Sequence, residues 1–353
     1  MFTELFTLAK EKKASDVHLV TSEVPVLRVN GRLVRTNLPA LSEEVLRAWL
    51  AGLLPEERLQ ELDAKGEVDA AASLPGLRLR LHAYRQLGHL ACALRLLPER
   101  VPTLEELGLP EVLKVILNRR QGLVLVTGPT GSGKTSTLAA CIEYLNRTAD
   151  LHIVTIEDPV EYRYVNRRAL ISQREVGEDT DDFATALRAA LRQDPDVILV
   201  GEMRDLPTIA TAITAAETGH LVLSTLHTVS AAQTIDRIID VFPAHQQLQI
   251  RSQLGDVLQA VLAQRLLPCR GKAGRVVALE VLLGTPAVRN LIREGKTFQL
   301  PSVIQAGRQA GMQSLEQSLA WLQQKGEINY EEALAAATNQ VLLQQLLQGG
   351  RLG

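Results

Sequence analysis

Hydrophobic spacing along the chain changes character near residue 100. Before that point, alternating runs and helical spacings follow one another in no regular order. Phe2, Leu5, Phe6 and Ala9 recur at helical intervals and predict a helix over 1–13. The runs 17–20 and 25–29 read as short strands. Asn30-Gly31, between VLRV and RLVR, is the dipeptide that closes a two-residue hairpin. Helices are expected over 42–52, with Ser42 as N-cap, and over 55–64. Strands return at 67–72, 77–83 and 89–97. This mixed order predicts a small α+β domain over 1–98.

A stretch containing prolines and an additional glycine, 99–110, reads as a linker. From 111 to 353 the pattern becomes β/α alternation with a largely helical end. Strands are expected at 123–127, 152–156, 197–200 and 221–225, and helices at 134–145, 182–192 and 206–217. Runs such as VILV are apolar at consecutive positions, which implies strands covered on both faces and a mostly parallel sheet. Beyond Pro243, helices are expected over 244–263, 286–294, 314–325 and 331–346, and the final residues read as a fraying tail.

Composition narrows the classes. A chain of 353 residues can bury two full cores. Its net charge of −2 gives no pull towards nucleic acid or anionic lipid, and 3% aromatics leave little for base stacking. No apolar run reaches the length of a membrane span, and the start MFTELFTLAKEKK is too charged for a signal peptide. Cys92, Cys141 and Cys269 are scattered, which suits a reducing compartment and shows no metal-ligand spacing. The cytoplasm is the expected location.

The chemistry begins at Gly128-Pro129-Thr130-Gly131-Ser132-Gly133-Lys134-Thr135, which fills GxxxxGK[ST] between a strand and a helix. The glycines let successive N–H groups turn into one concavity, and the following helix adds its positive end there. Lys134 can reach the β/γ-phosphates, and the hydroxyl of Thr135 is placed for Mg²⁺. The reading is a nucleoside triphosphate site, with ATP and Mg²⁺ as cofactors. Hydrolysis also needs carboxylates on neighbouring strand ends. Glu202 ends the strand VILVGE, expected next to the phosphate-loop strand, where it can polarise the attacking water; the plain alternative is an ion pair with Arg204. Glu157 and Asp158 end another strand, with Glu161 close behind, and can hold Mg²⁺ or orient the nucleophile; the alternative is a polar loop. His227 ends a third strand, to sense the γ-phosphate, signal to a neighbouring subunit or satisfy a local hydrogen bond. Arg78 and Arg80 alternate with leucines on one strand and Arg95 lies on the next, either as cations for phosphoryl transfer or as a solvated face.

Together these segments resemble the secretion-ATPase superfamily, and within it the retraction ATPases of type IV pili. GPTGSGKT resembles the Walker A motif, TIEDPVEY an Asp box, DPDVILVGEMRD the Walker B motif and TGHLVLSTLHT a His box. The run Ala287-Val288-Arg289-Asn290-Leu291-Ile292-Arg293-Glu294 nearly reproduces the retraction signature AIRNLIRE. The resemblance implies an α/β fold, a RecA-like P-loop NTPase core domain preceded by a smaller PAS-like α+β domain. It implies a homohexamer acting on an inner-membrane pilus platform protein, peripheral to the membrane and not inserted, and no nucleic acid. It makes Glu202 the catalytic carboxylate and Glu157, Asp158 and Glu161 the acidic box. Arg78, Arg80 and Arg95 would arrive from a neighbouring subunit. The pattern is broken at two places: Ser224 stands where retraction ATPases usually have Gly, and Thr135-Ser136 inverts the usual Ser-Thr order. Extension and secretion ATPases of the same superfamily usually carry a longer N-terminal region and a four-cysteine zinc motif, and Cys269 stands alone. A RecA-like DNA motor would want a basic groove or stacking aromatics. A non-hydrolysing scaffold would not need Lys134, Thr135 and Glu202.

Overall fold

The computed structural model describes residues 1–29, 31–97, 100–271 and 274–349. It divides into two compact units: Met1–Arg100 with Glu161–Arg163, and Val101–Val160 with the chain from Tyr164 onward.

The first unit contains α1 (Phe2–Glu11), β1 (Asp16–Val20), β2 (Val26–Val29), β3 (Arg32–Arg35), α2 (Glu43–Ala51), α3 (Glu56–Lys65), β4 (Glu67–Leu74), β5 (Leu77–Gln86) and β6 (His89–Leu97). Its sheet runs β3-β2-β1-β6-β5-β4 and every pair is antiparallel. Strict alternation decides the two faces of β5. Leu77, Leu79, Leu81 and Ala83 are buried, while Arg78, Arg80, His82 and Tyr84 take the other face. The helices close over the apolar face: Leu5, Phe6, Leu46, Leu50 and Leu62 join Leu19, Leu27, Leu79 and Leu94 in one core. Phe2 stacks on Trp49 with ring centroids 4.6 Å apart. Val29 pairs with Arg32, so the expected two-residue hairpin loop is present, with Gly31 at φ +80°. Asn30 lies outside the described residues.

The second unit contains α4 (Val112–Leu117), β7 (Gly122–Thr127), α5 (Lys134–Thr148), β8 (His152–Glu157), β9 (Leu170–Glu175), α6 (Phe183–Ala190), β10 (Val197–Val200), α7 (Leu206–Glu217), β11 (Leu221–Leu226), α8 (Ala231–Asp240), α9 (Ala244–Val257), β12 (Leu258–Pro268), β13 (Arg275–Leu283), α10 (Pro286–Arg293), α11 (Leu300–Ala306), α12 (Leu315–Gln324), α13 (Tyr330–Ala336) and α14 (Gln340–Gln348). The sheet runs β13-β12-β7-β11-β10-β8-β9, parallel throughout except for the β12–β13 pair. Every residue of β7, β10 and β11 is buried, as a sheet covered on both faces requires. The α/β core preceded by a smaller α+β unit is the expected fold. Leu104 and Leu109, from the stretch read as a linker, are buried in this second core.

Two expectations fail here. The helix expected over 244–263 ends at Val257, and 258–268 is strand β12; β13 was not anticipated. The C-terminal region is therefore not simply helical. A run such as LQAVLAQRLL is apolar on both faces, and periodicity cannot separate a buried strand from a buried helix in it. The position beside β7 settles the matter, because an open edge there would leave a row of unpaired backbone groups. The second failure concerns order. The Glu202 strand, β10, is not adjacent to the phosphate-loop strand: β11 lies between them. Strand adjacency is a long-range property that spacing along the chain does not encode.

The turn from β13 into α10 depends on Gly284. A Cβ there would lie 1.9 Å from the carbonyl oxygen of Leu258, a backbone atom that cannot swing aside. Replacing Gly284 with Ala is expected to destabilise the protein by about 1–3 kcal/mol. Thermal unfolding checks this, and an unchanged Tm would mean that the turn relaxes freely.

Candidate nucleotide-binding site

Four parallel strands end at one edge of the second sheet, and each delivers a candidate group. Thr127 of β7 pairs with Leu226 of β11, so Gly128 and His227 leave the sheet side by side. Val200 of β10 pairs with Ser224 of β11 and with Ile156 of β8, which brings Gly201-Glu202 beside Glu157. Two bonds fix this edge: Gly201 N–H donates to the Ile156 carbonyl at 2.8 Å, and the Thr225 hydroxyl donates to the Gly201 carbonyl at 2.7 Å. The carboxyl ends of parallel strands are where open α/β sheets bind ligands.

The loop 128–133 has the backbone that an anion cradle needs. Gly128, Gly131 and Gly133 hold φ of +142°, +78° and +89°. Gly133 is the N-cap of α5, whose amide end carries partial positive charge. Pro129, Thr130 and Thr135 are exposed, while Ser132 is 3% exposed and its Oγ has no hydrogen-bond partner. The Lys134 ammonium donates to the carbonyls of Gly128 at 2.9 Å and Pro129 at 3.2 Å. Burial lowers its pKa, and the charge of Glu202 opposes that shift. An orphaned hydroxyl, a glycine-lined concavity and an ammonium drawn onto the loop's own carbonyls all fit a polyphosphate.

Glu202 sits between His227 and Arg204. His227 Nε2 lies 3.0 Å from its Oε1, and Arg204 donates to the same oxygen. The plain ion pair and the His227 contact thus coexist. The Arg204 bond to Glu202 raises the Arg204 pKa first, then the charges of Glu202 and Asp158. Glu157 is buried at its strand end and accepts from the Thr155 hydroxyl at 2.7 Å and from Gln173 Nε2 at 3.3 Å. Ser224 occupies its unusual position without cost to the sheet, since its hydroxyl donates to the Val200 carbonyl at 2.7 Å. The loop residues through Ser136, together with Glu157, Asp158, Glu202 and His227, therefore share one edge.

The other candidates lie elsewhere. Arg78, Arg80, Arg95 and Glu161 belong to the first unit, where Arg78 donates to the Glu161 carbonyl at 3.1 Å. Arg80 pairs across the sheet with Arg95, which is held by Asp16 at 3.1 Å. The segment 287–294 falls on α10 and its C-cap, with Val288 and Ile292 buried. Ala287 and Asn290 are exposed and Leu291 half-buried, and Asn290 donates to Glu294 at 3.4 Å. Arg289 ties this helix to the end of α9: its guanidinium donates to the carbonyls of Asp256, Leu258 at 3.3 Å and Gly284 at 2.8 Å. Arg293 adds an ion pair to the Asp256 carboxylate. Such bonds supply partners to carbonyls that a helix end otherwise leaves unpaired.

With this geometry in hand, residues 1–335 match the family described as Type II/IV secretion system protein. The chain belongs to that family. Among relatives, the type IV pilus retractation ATPase PilT of Pseudomonas aeruginosa is 48% identical over 332 residues, covering 94% of this chain and 96% of that protein. A twitching motility protein of Neisseria gonorrhoeae is 48% identical over 316 residues, 89% of this chain and 84% of the relative. A crystal structure of the pilus retraction motor PilT with bound ADP superposes with a TM-score of 0.89 at 45% identity, covering 97% and 98% of the two chains. Sequence reading within this secretion-system chain missed Gln264 and Glu280, both on the unanticipated hairpin β12–β13. Glu280 accepts the N–H of Ala231 at 2.7 Å, at the start of the helix that follows the His227 loop. Both residues fall between the helices expected over 244–263 and 286–294, in a stretch where periodicity predicted no element.

Burial raises the Glu280 carboxyl above the usual carboxylate range, Glu316 adds to the shift, and the Ala231 bond and Arg265 oppose it. A raised folded-state pKa contributes stability that is present below the unfolded pKa and lost as pH rises through the folded one. Glu280→Gln keeps an oxygen for Ala231 and removes the ionisation. The Tm of the variant relative to the parent is expected to rise as pH climbs above the ordinary carboxyl range of about 4. A pH-independent difference would contradict the assignment.

Proposed function

We propose that this chain is an ATP-hydrolysing motor that drives retraction of type IV pili. The observation that carries the reading is the meeting of Lys134, Glu202 and His227 at one sheet edge, in a chain 48% identical to a pilus retraction ATPase over 94% of its length. The loop N–H groups and the α5 amide end bind the phosphates, and Lys134 turns from the loop carbonyls to the β/γ-phosphates. Thr135, Glu157 and Glu202 are the residues that would hold Mg²⁺, which would neutralise charge on the phosphates. The Glu202 carboxylate accepts a proton from the attacking water, and His227 fixes its orientation. Asp158 and Glu161 complete the acidic box.

The motor works as a homohexamer, in which Arg78, Arg80 and Arg95 reach the phosphates of a neighbouring subunit and supply the cation that phosphoryl transfer favours. It acts at the cytoplasmic face of the inner membrane, peripherally, on a pilus platform protein and not on nucleic acid. No helix among the described residues is long and apolar enough to cross a membrane. The helix bearing 287–294 passes the cycle to retraction.

Lys134→Ala and Glu202→Ala are each expected to lower ATP turnover by about 100-fold or more. Phosphate release by the purified variants measures this, and normal turnover in either would sink the site assignment. Deleting the gene in its host is expected to leave surplus surface pili without twitching. Absence of pili would point to an extension ATPase, and unaltered pilus number to an auxiliary retraction motor.

A further inference from the structure

Gln264 lies on β12 directly behind the phosphate loop and is 2% exposed. Ala263 pairs with Thr127, so Gln264 follows at the level where the loop begins. Its Nε2 donates to the Ser132 carbonyl at 2.6 Å, and its Oε1 accepts from the Thr137 hydroxyl at 3.0 Å. The Ser132 carbonyl can only accept, which fixes which end of the amide faces it. The amide donates at one end and accepts at the other without needing a proton from solvent. A carboxylate would lose the first bond and an ammonium the second.

The bond to Ser132 has a directional consequence. In a planar trans peptide the C=O and the next N–H point in opposite directions. Pinning the Ser132 carbonyl on Gln264 therefore turns the Gly133 N–H the other way, into the loop's concavity. The same residue explains two glycines. A Cβ on Gly128 would lie 2.4 Å from the Gln264 carbonyl oxygen, and one on Gly133 would lie 3.3 Å from Gln264 Nε2.

We propose that Gln264 is a positioning residue for nucleotide binding, bridging the Ser132 carbonyl and the Thr137 hydroxyl so that the Gly133 N–H is held towards the phosphates. This rests on the reading of 128–135 as the phosphate loop. Gln264→Met keeps length and apolar volume and removes both bonds; Thr137→Val is nearly isosteric and removes one. Both are tested in the full-length protein by titration with fluorescent ADP and by ATPase kinetics, alongside thermal unfolding.

Gln264→Met is expected to weaken ADP binding and raise KM for ATP by about 10-fold, with kcat at saturation changed less than about 2-fold. Thr137→Val should weaken binding by about 3-fold, and the double variant should be no weaker than Gln264→Met alone. A lowered Tm with unchanged ADP affinity and KM would overturn the proposal, as would additive effects in the double variant. If Gln264→Met does not fold, unchanged affinity in Thr137→Val overturns it. Lys134→Ala separates the two failures. Full ADP binding and turnover in that variant would remove the phosphate-loop reading itself, whereas loss there with normal Gln264→Met would remove only this proposal.

Discussion

The register of four parallel strands is the constraint on which the rest depends. Thr127 beside Leu226, Ser224 beside Val200 and Val200 beside Ile156 together set the height at which four loops leave the sheet. A slip of one residue in any pair would turn every side chain of that strand to the opposite face. It would also move His227 or Glu202 by about 3.3 Å along the strand axis, beyond hydrogen-bond reach of its partner. Packing on both faces opposes such a slip, since each side chain would meet a space shaped for another. Cross-strand bonds from Ser224 and Thr225 then lock the last residues before the loops.

Much of this was legible in the sequence, for a physical reason. Strands buried on both faces, separated by helical stretches, write their own order into the chain as apolar blocks. Glycines at 128, 131 and 133 record a backbone that side chains resist. The phosphate loop and its flanking elements could therefore be located from residues alone. What remained hidden was information about neighbours. The apolar run beginning at Leu258 has no periodicity that separates strand from helix, so the start of β12 read as helix, while the rest of β12 and all of β13, with Gln264 and Glu280, fell in a stretch with no expected element. The position of β11 between β7 and β10 was equally invisible, because strand order depends on how crossovers close.

The missed hairpin gives the second unit a continuity that the motifs alone do not. Ala263 pairs with Glu280, so Gln264 and Glu280 are near neighbours across β12 and β13. One holds the loop after β7 and the other holds the helix that follows the loop after β11. The two loops are thus referred to a single piece of backbone, outside the four strands that carry the candidate chemistry.

That backbone leads directly to α10. β13 ends at Leu283, Gly284 makes its close approach to Leu258, and the Thr285 side chain accepts the N–H of Val288 to open the helix. Arg289 then returns to the carbonyls of Asp256 and Leu258, the residues that join α9 to β12. The polypeptide forms a closed circuit: β12, β13, Gly284, α10, and back through Arg289 to the start of β12. The covalent chain and the β12–β13 ladder make three sides of this circuit, and the Arg289 guanidinium closes the fourth on backbone carbonyls. Coupling between sites requires an element with two arrangements. In the arrangement seen, Gln264 reaches the phosphate loop, Glu280 reaches the start of α8 and Arg289 reaches the junction of α9 and β12, so the hairpin touches all three.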